Sequence, residues 1–97
     1  MKNFELEKLR HEIDVTDNVI LQALKRRSEV VSQIAEVKER EKISAHQPER
    51  FAHMLGNLEL QAMAIGVDPE LVHEVWTSIH NSSLRQQNIA QPLVHYD

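Results

Sequence analysis

Residues 6–38, LEKLRHEIDVTDNVILQALKRRSEVVSQIAEVK, carry the strongest structural signal in the sequence. No glycine or proline interrupts the chain between residues 1 and 47. Apolar side chains recur here at steps of three, four or their sums, namely at Leu6, Leu9, Ile13, Ile20, Leu24, Val31 and Ile34. This period is that of one face of an α-helix, so the segment predicts one long amphipathic helix from about residue 5 to about residue 42.

Two shorter helices are predicted after the long one. Pro48 suits the first turn of a second helix, because its missing N–H costs nothing there. Gly66 stands where a left-handed C-terminal cap is wanted. Asp68 and Pro69 are typical of the N-cap and first turn of a third helix, and Pro92 is expected to end it. The side chains expected to face inward are Phe51, Met54, Leu55, Leu58, Ala62 and Ile65, then Leu71, Val72, Val75, Trp76, Ile79 and Ile89.

Length and composition favour one all-α domain over residues 1–97. With 41% hydrophobic residues and two glycines, the chain is too rich in core-forming residues for disorder and too poor in turn residues for a many-stranded β fold. The absence of cysteine excludes disulfides and a thiol nucleophile. A net charge of −4 disfavours non-specific nucleic-acid binding. The longest apolar run, residues 62–65, is far shorter than the roughly 20 residues of a membrane span, so a cytoplasmic protein is expected.

The length of the first helix predicts a homodimer. A helix over residues 5–42 is roughly 57 Å long, whereas a compact chain of this size is only about 32 Å across. The helix is therefore expected to extend beyond its own subunit and to bury its apolar stripe against a second copy.

Two cations interrupt the apolar stripe of the first helix. Arg27 and Lys38 are eleven residues apart, which places them within roughly 20° of each other around the helix and about 16 Å apart along it. They could enclose a small polyanion, with a bidentate guanidinium at one end and an ammonium at the other. Alternatively, both reach solvent or pair with acids such as Glu36 and Glu39.

The stripe of the third helix becomes polar at Ser82 and Gln86. Buried polar groups require partners, and a ligand is one such partner. The alternative is that these last turns are solvated.

Arg10 lies near the same stripe but far from Arg27, about 25 Å along the helix and some 100° around it. If Arg10 and Arg27 bound the same ligand, Arg10 would have to come from the second subunit. Otherwise it is a solvent-facing arginine beside Asp14.

Neither a metal nor an organic cofactor is indicated. His46 and His53, like His73 and His80, are seven residues apart, about 10 Å along a helix, which is too far for one ion. No nucleophile context or glycine-rich phosphate loop is present.

The joint order and spacing of these polar residues resemble those of the small all-helical chorismate mutases. The segments that carry the resemblance are Leu9-Arg10-x-x-Ile13-Asp14-x-x-Asp17, Leu24-Lys25-Arg26-Arg27, Lys38, Gln47-Pro48-Glu49-Arg50 and Ser82-x-x-x-Gln86. The resemblance implies an intertwined helical homodimer with two sites, each completed by an N-terminal arginine of the other subunit. It also implies the pericyclic rearrangement of chorismate to prephenate, which requires no nucleophile, metal or redox cofactor.

The resemblance assigns a role to each site residue. Arg27 and Arg10 of the partner subunit would hold the substrate carboxylates, assisted by Ser82. Lys38 and Gln86 would donate to the ether oxygen, which gains negative charge as its C–O bond breaks.

The second helix departs from the mutase pattern while keeping Arg50 as a supporting cation. Typical mutases have an acid where this chain has Gln47 and a glutamate where it has Phe51, both near the ring hydroxyl of the substrate. Such a change alters substrate choice more than reaction type. Chorismate mutase is therefore expected first, then isochorismate-pyruvate lyase, then 4-amino-4-deoxychorismate mutase, and last a non-catalytic helical dimerisation module.

Overall fold

The computed structural model describes the backbone of residues 3–90 and the side chains of residues 3–87. Every regular element in that part of the chain is helical: α1 is Phe4–Glu41, α2 is Pro48–Ile65 and α3 is Pro69–Ala90. The prediction of one long and two shorter helices is confirmed. The expected helix end at Pro92 and the side chain of Ile89 lie outside the described residues.

The local signals at the helix ends act as predicted. Pro48 occupies the first turn of α2. Gly66 ends that helix in the left-handed conformation, with φ of 80°, which only glycine adopts without a Cβ penalty. Asp68 begins α3, because its Oδ1 accepts a hydrogen bond of 3.0 Å from the backbone N–H of Glu70. These contacts satisfy backbone groups that a helix end leaves open.

The chain divides into two compact units, residues 1–30 and residues 31–97. In the first unit the described residues form a helix that Asn3 begins, since its Oδ1 accepts from the N–H of Leu6 at 3.0 Å. The apolar stripe of this unit is open to solvent: Leu9, Ile13 and Ile20 are 49%, 58% and 52% exposed. A continuous apolar surface of this kind is typical of a face that packs against another chain.

The second unit contains the hydrophobic core. Helices α2 and α3 pack against each other, and the buried apolar residues are Val31, Ala35, Ala45, Leu55, Ala62, Val72 and Leu84. Three of the seven are alanines, which let the backbones approach closely. The core is small, so the side chains around it are only half-covered.

Three side chains expected to face inward are exposed. Ile65 is 77% exposed because it is the last residue before the reversal at Gly66. Leu71 and Val75 are also exposed, since the buried face of α3 runs through their neighbours Val72 and Trp76. One residue is about 100° around a helix, so adjacent apolar residues cannot share the core equally. Across residues 3–90, none of the helices combines the length and apolar character needed to cross a membrane.

Candidate active site

Lys38 is held in a fixed position near the end of α1. Its Nζ donates a hydrogen bond of 2.9 Å to Oε1 of Gln87 and one of 3.0 Å to the carbonyl oxygen of Ala45. An ammonium has three N–H donors. Two of them anchor the side chain between α3 and the segment that follows α1, and the hydrogen bonds of the described residues leave the third unused.

The charge of Lys38 is surrounded by neutral oxygens. Within the described residues its partners are an amide and a carbonyl, rather than the carboxylates of Glu36 or Glu39 considered above. Burial lowers the pKa of Lys38 below its ordinary value, because desolvation disfavours the charged form. An anion beside Nζ would compensate for this loss. Lys38 is therefore a candidate for binding an anion.

Gln87 is the functional candidate that sequence reasoning missed. It is 7% exposed and is the buried polar residue among the described side chains. Because its Oε1 accepts from Lys38, the amide is oriented with Nε2 as a second donor beside the ammonium. The steps from Val72 to Trp76, Ser83 and Gln87 are also sums of threes and fours, so the period alone did not distinguish Gln87 from Gln86.

Gln86 and Ser82 lie differently from what the stripe predicted. The Nε2 of Gln86 donates to Oγ of Ser32 at 2.7 Å and ties α3 to α1. Ser82 is exposed, and it is Ser83 that turns partly inward, with its Oγ donating to the carbonyl oxygen of Ile79 at 2.9 Å. The inward polar positions of α3 are thus shifted by one residue, because helical steps of three and four both continue the stripe.

Two further predicted residues lie at the start of α2. Gln47 is exposed, and its Nε2 donates to the carbonyl oxygen of Ser44 at 3.1 Å. Arg50 is exposed. The hydrogen bonds of the described residues do not join either side chain to Lys38.

Phe51 is half-buried and stacks on His80 of α3, with ring centroids 3.8 Å apart and planes 11° apart. The contact joins two residues singled out in the sequence for separate reasons. It places an aromatic ring where the mutase pattern has a glutamate.

The other two predicted arginines, Arg10 and Arg27, belong to the first unit. Arg10 is exposed, whereas Arg27 is half-buried and its pKa is lowered by desolvation. Burial of a guanidinium is costly unless it is paired. In residues 3–87, no group of three or more histidine, cysteine or acidic side chains is arranged to hold a metal ion.

The chain is similar to known proteins over most of its length. The model of the family described as chorismate mutase type II matches residues 9–88. The T-protein of Enterobacter agglomerans is 37% identical over 84 residues, which are 87% of this chain and 22% of that relative. The T-protein of Haemophilus influenzae is 32% identical over 83 residues, or 86% of this chain and 22% of the relative. The chain thus spans about a fifth of the curated relatives it matches.

Proposed function

This chain belongs to the chorismate mutase type II family, and we propose that it rearranges chorismate to prephenate. In this reaction the ether C–O bond breaks while a C–C bond forms within the same molecule. No group is transferred, and no proton or electron is exchanged with the protein. The observation that carries the proposal is the anchored ammonium of Lys38 beside the buried amide of Gln87.

The paired donors support catalysis by electrostatic preorganisation. As the C–O bond breaks, negative charge grows on the ether oxygen. Lys38 retains one N–H and Gln87 retains its Nε2 to donate to that oxygen, and both side chains are already oriented by their mutual hydrogen bond. Donors that need no rearrangement stabilise the transition state more than the substrate. Gln86, the residue expected from the sequence, is the alternative to Gln87 in this role.

The arginines are proposed to bind the two carboxylates. Arg27 supplies a bidentate guanidinium from its own subunit, and Arg10 of the partner subunit supplies the second, with Ser82 assisting and Arg50 as a supporting cation. An intertwined homodimer brings the partner's Arg10 into reach. The exposed apolar stripe of Leu9, Ile13 and Ile20 supports this dimer, because it offers the surface that such an interface would bury.

Subunit sharing predicts complementation between two inactive variants. Arg10→Ala and Arg27→Ala homodimers should each lose most activity, because every site lacks one of its two carboxylate-binding arginines. After subunit exchange, half of the dimers are heterodimers with one intact site of two, so the mixture should recover about a quarter of wild-type kcat. Exchange is verified by mass spectrometry of differently tagged chains. No recovery after verified exchange would contradict a site shared between subunits.

The reaction is tested by offering the purified protein three substrates separately. Chorismate should give prephenate. The alternatives are isochorismate, giving salicylate and pyruvate, and 4-amino-4-deoxychorismate, giving the amino analogue of prephenate. The highest kcat/KM identifies the activity. If none of the three compounds were turned over, the chain would be a non-catalytic helical dimerisation module.

A charged, membrane-impermeant substrate and the composition support a cytoplasmic location.

The pH dependence of kcat/KM should reveal the titration of Lys38. Only the ammonium donates with full charge, so kcat/KM, which reports the ligand-free protein, should fall as pH rises through the pKa of Lys38. Because burial lowers that pKa, the fall should occur below about 10.4, the value of an exposed lysine. Lys38→Arg should be slower at neutral pH but should lose this alkaline decline, since a guanidinium stays protonated. If Lys38→Arg showed the same alkaline decline, the titrating group would be a residue other than Lys38.

A further inference from the structure

The segment that joins α1 to α2, residues 42–47, folds back onto Lys38. It begins with a reversal at Lys42, whose backbone lies in the left-handed region with φ of 57°. After this reversal the backbone N–H of Ile43 donates to the carbonyl oxygen of Lys38 at 2.8 Å. Two residues later, the carbonyl oxygen of Ala45 accepts from Nζ of the same lysine at 3.0 Å. The joining segment therefore holds Lys38 at both ends, by its backbone and by its side chain.

Ala45 is the residue by which the joining segment enters the hydrophobic core. It is 2% exposed, whereas its neighbour Ser44 is exposed and His46 is half-buried. A methyl group has no rotamers, so its burial costs no side-chain entropy. The backbone attached to a buried methyl has little room to move in a close-packed core. The position of the Ala45 carbonyl oxygen is therefore set by the burial of its own side chain.

The ammonium of Lys38 needs two fixed acceptors to be held in one direction. It stands on a flexible stem of four carbons, each bond of which can rotate. Oε1 of Gln87 supplies one acceptor from α3, at 2.9 Å, and the carbonyl oxygen of Ala45 supplies the other from the joining segment. With one acceptor the ammonium would still turn about a single hydrogen bond. Two acceptors on different elements fix the direction of the remaining N–H.

We infer that Ala45 is a positioning residue for the proposed reaction: its buried methyl fixes the carbonyl oxygen that aims the ammonium of Lys38 at the ether oxygen of the substrate. Ala45 touches no reacting atom and acts through Lys38. The inference rests on the proposed function, in which Lys38 donates to the oxygen that gains negative charge. The direction of such a donor matters, because a displacement of about 1 Å can lower a rate by about 10²-fold.

The test is the replacement of Ala45 by glycine, alone and combined with Lys38→Ala. Glycine keeps the carbonyl oxygen but removes the methyl and adds backbone freedom. We expect Ala45→Gly to lower kcat for chorismate by about tenfold and to change KM by less than about twofold, since the donor acts mainly in the transition state. In the Lys38→Ala protein the same substitution should lower kcat no further, because the group that Ala45 positions is already absent.

Ser44→Gly is the matched control for Ala45→Gly. It adds the same backbone freedom one residue earlier, at an exposed position, and keeps the buried methyl. Its kcat should stay within about twofold of the wild-type value. Ala45→Ser retains a Cβ at the buried position, so it should keep most of the kcat that Ala45→Gly loses.

Three kinetic outcomes would overturn the inference. An equal loss of kcat from Ala45→Gly in the presence and absence of Lys38 would show a general structural effect. A loss in Ser44→Gly as large as that in Ala45→Gly would show that backbone freedom alone is responsible. An unchanged kcat in Ala45→Gly would show that the ammonium is aimed without the buried methyl.

Hydrogen exchange of the Lys38 ammonium separates this inference from the proposed function, because it needs no substrate. Measured by NMR of isotope-labelled protein, it should be at least about tenfold faster in Ala45→Gly than in the wild type, and unchanged in Ser44→Gly. If the wild-type protein turned over none of the three substrates but showed this difference, the proposed function would fail and the positioning of Lys38 by Ala45 would stand. Equal exchange in the wild type and in Ala45→Gly would overturn the positioning itself.

Discussion

Replacement of Lys38 by alanine is expected to lower kcat for chorismate by about 10²–10³-fold, the usual cost of removing one preorganised donor to a developing negative charge. The effect should appear mainly in kcat, because the bond to the ether oxygen strengthens as the C–O bond breaks. The measurement is steady-state loss of chorismate by absorbance, together with the molecular mass in solution, which should not change.

Lys38→Ala should also lower the stability of the protein, and this effect must be measured separately from the loss of kcat. Without Nζ, the Oε1 of buried Gln87 and the carbonyl oxygen of Ala45 lose their shared donor. An unsatisfied buried acceptor costs roughly 1–3 kcal/mol, so the melting temperature should fall while the protein still folds.

Lys42→Ala is the matched control for Lys38→Ala. Lys42 is exposed just after α1, and its removal should leave kcat unchanged. Near-normal turnover in folded Lys38→Ala would exclude the proposed electrostatic role of the ammonium.

The second large effect is expected at Gln87. Gln87→Ala removes the other inward donor and also the oxygen that orients Lys38, so kcat should fall by about 100-fold or more. Gln86→Ala removes a hydrogen bond to Ser32, on the partly exposed side of α3, and should lower kcat far less. The comparison of these adjacent residues by kcat and melting temperature decides which glutamine serves the site.

Gln87→Met separates catalysis from packing. Methionine fills a similar volume without an N–H donor, so it should restore much of the stability lost in Gln87→Ala while kcat stays low. A larger loss of kcat in Gln86→Ala than in either Gln87 variant would show that Gln86, and not Gln87, is the donor to the ether oxygen.

The helices and their ends were predictable because their signals are local. The uninterrupted apolar period of α1, Pro48 at the start of α2, the left-handed Gly66 and the cap at Asp68 each act within a few residues of chain. Such signals depend on backbone geometry and not on what packs against the helix. The cationic residues Arg27 and Lys38 were also found from the sequence, since a charge on an apolar stripe is visible as a break in the pattern.

The tertiary structure alone decided which side of each helix meets a neighbour. Gln86 and Gln87 both continue the stripe of α3, and only the packing of α3 shows that Gln87 is buried against Lys38. The stacking of Phe51 on His80 joins two helices that no short-range signal relates. A helical period specifies a face to within about one residue, or roughly 100°, whereas hydrogen bonds and ring contacts require a much finer fit. The sequence therefore determined the elements and the family, and the packing of α2 and α3 determined which side chains stand together.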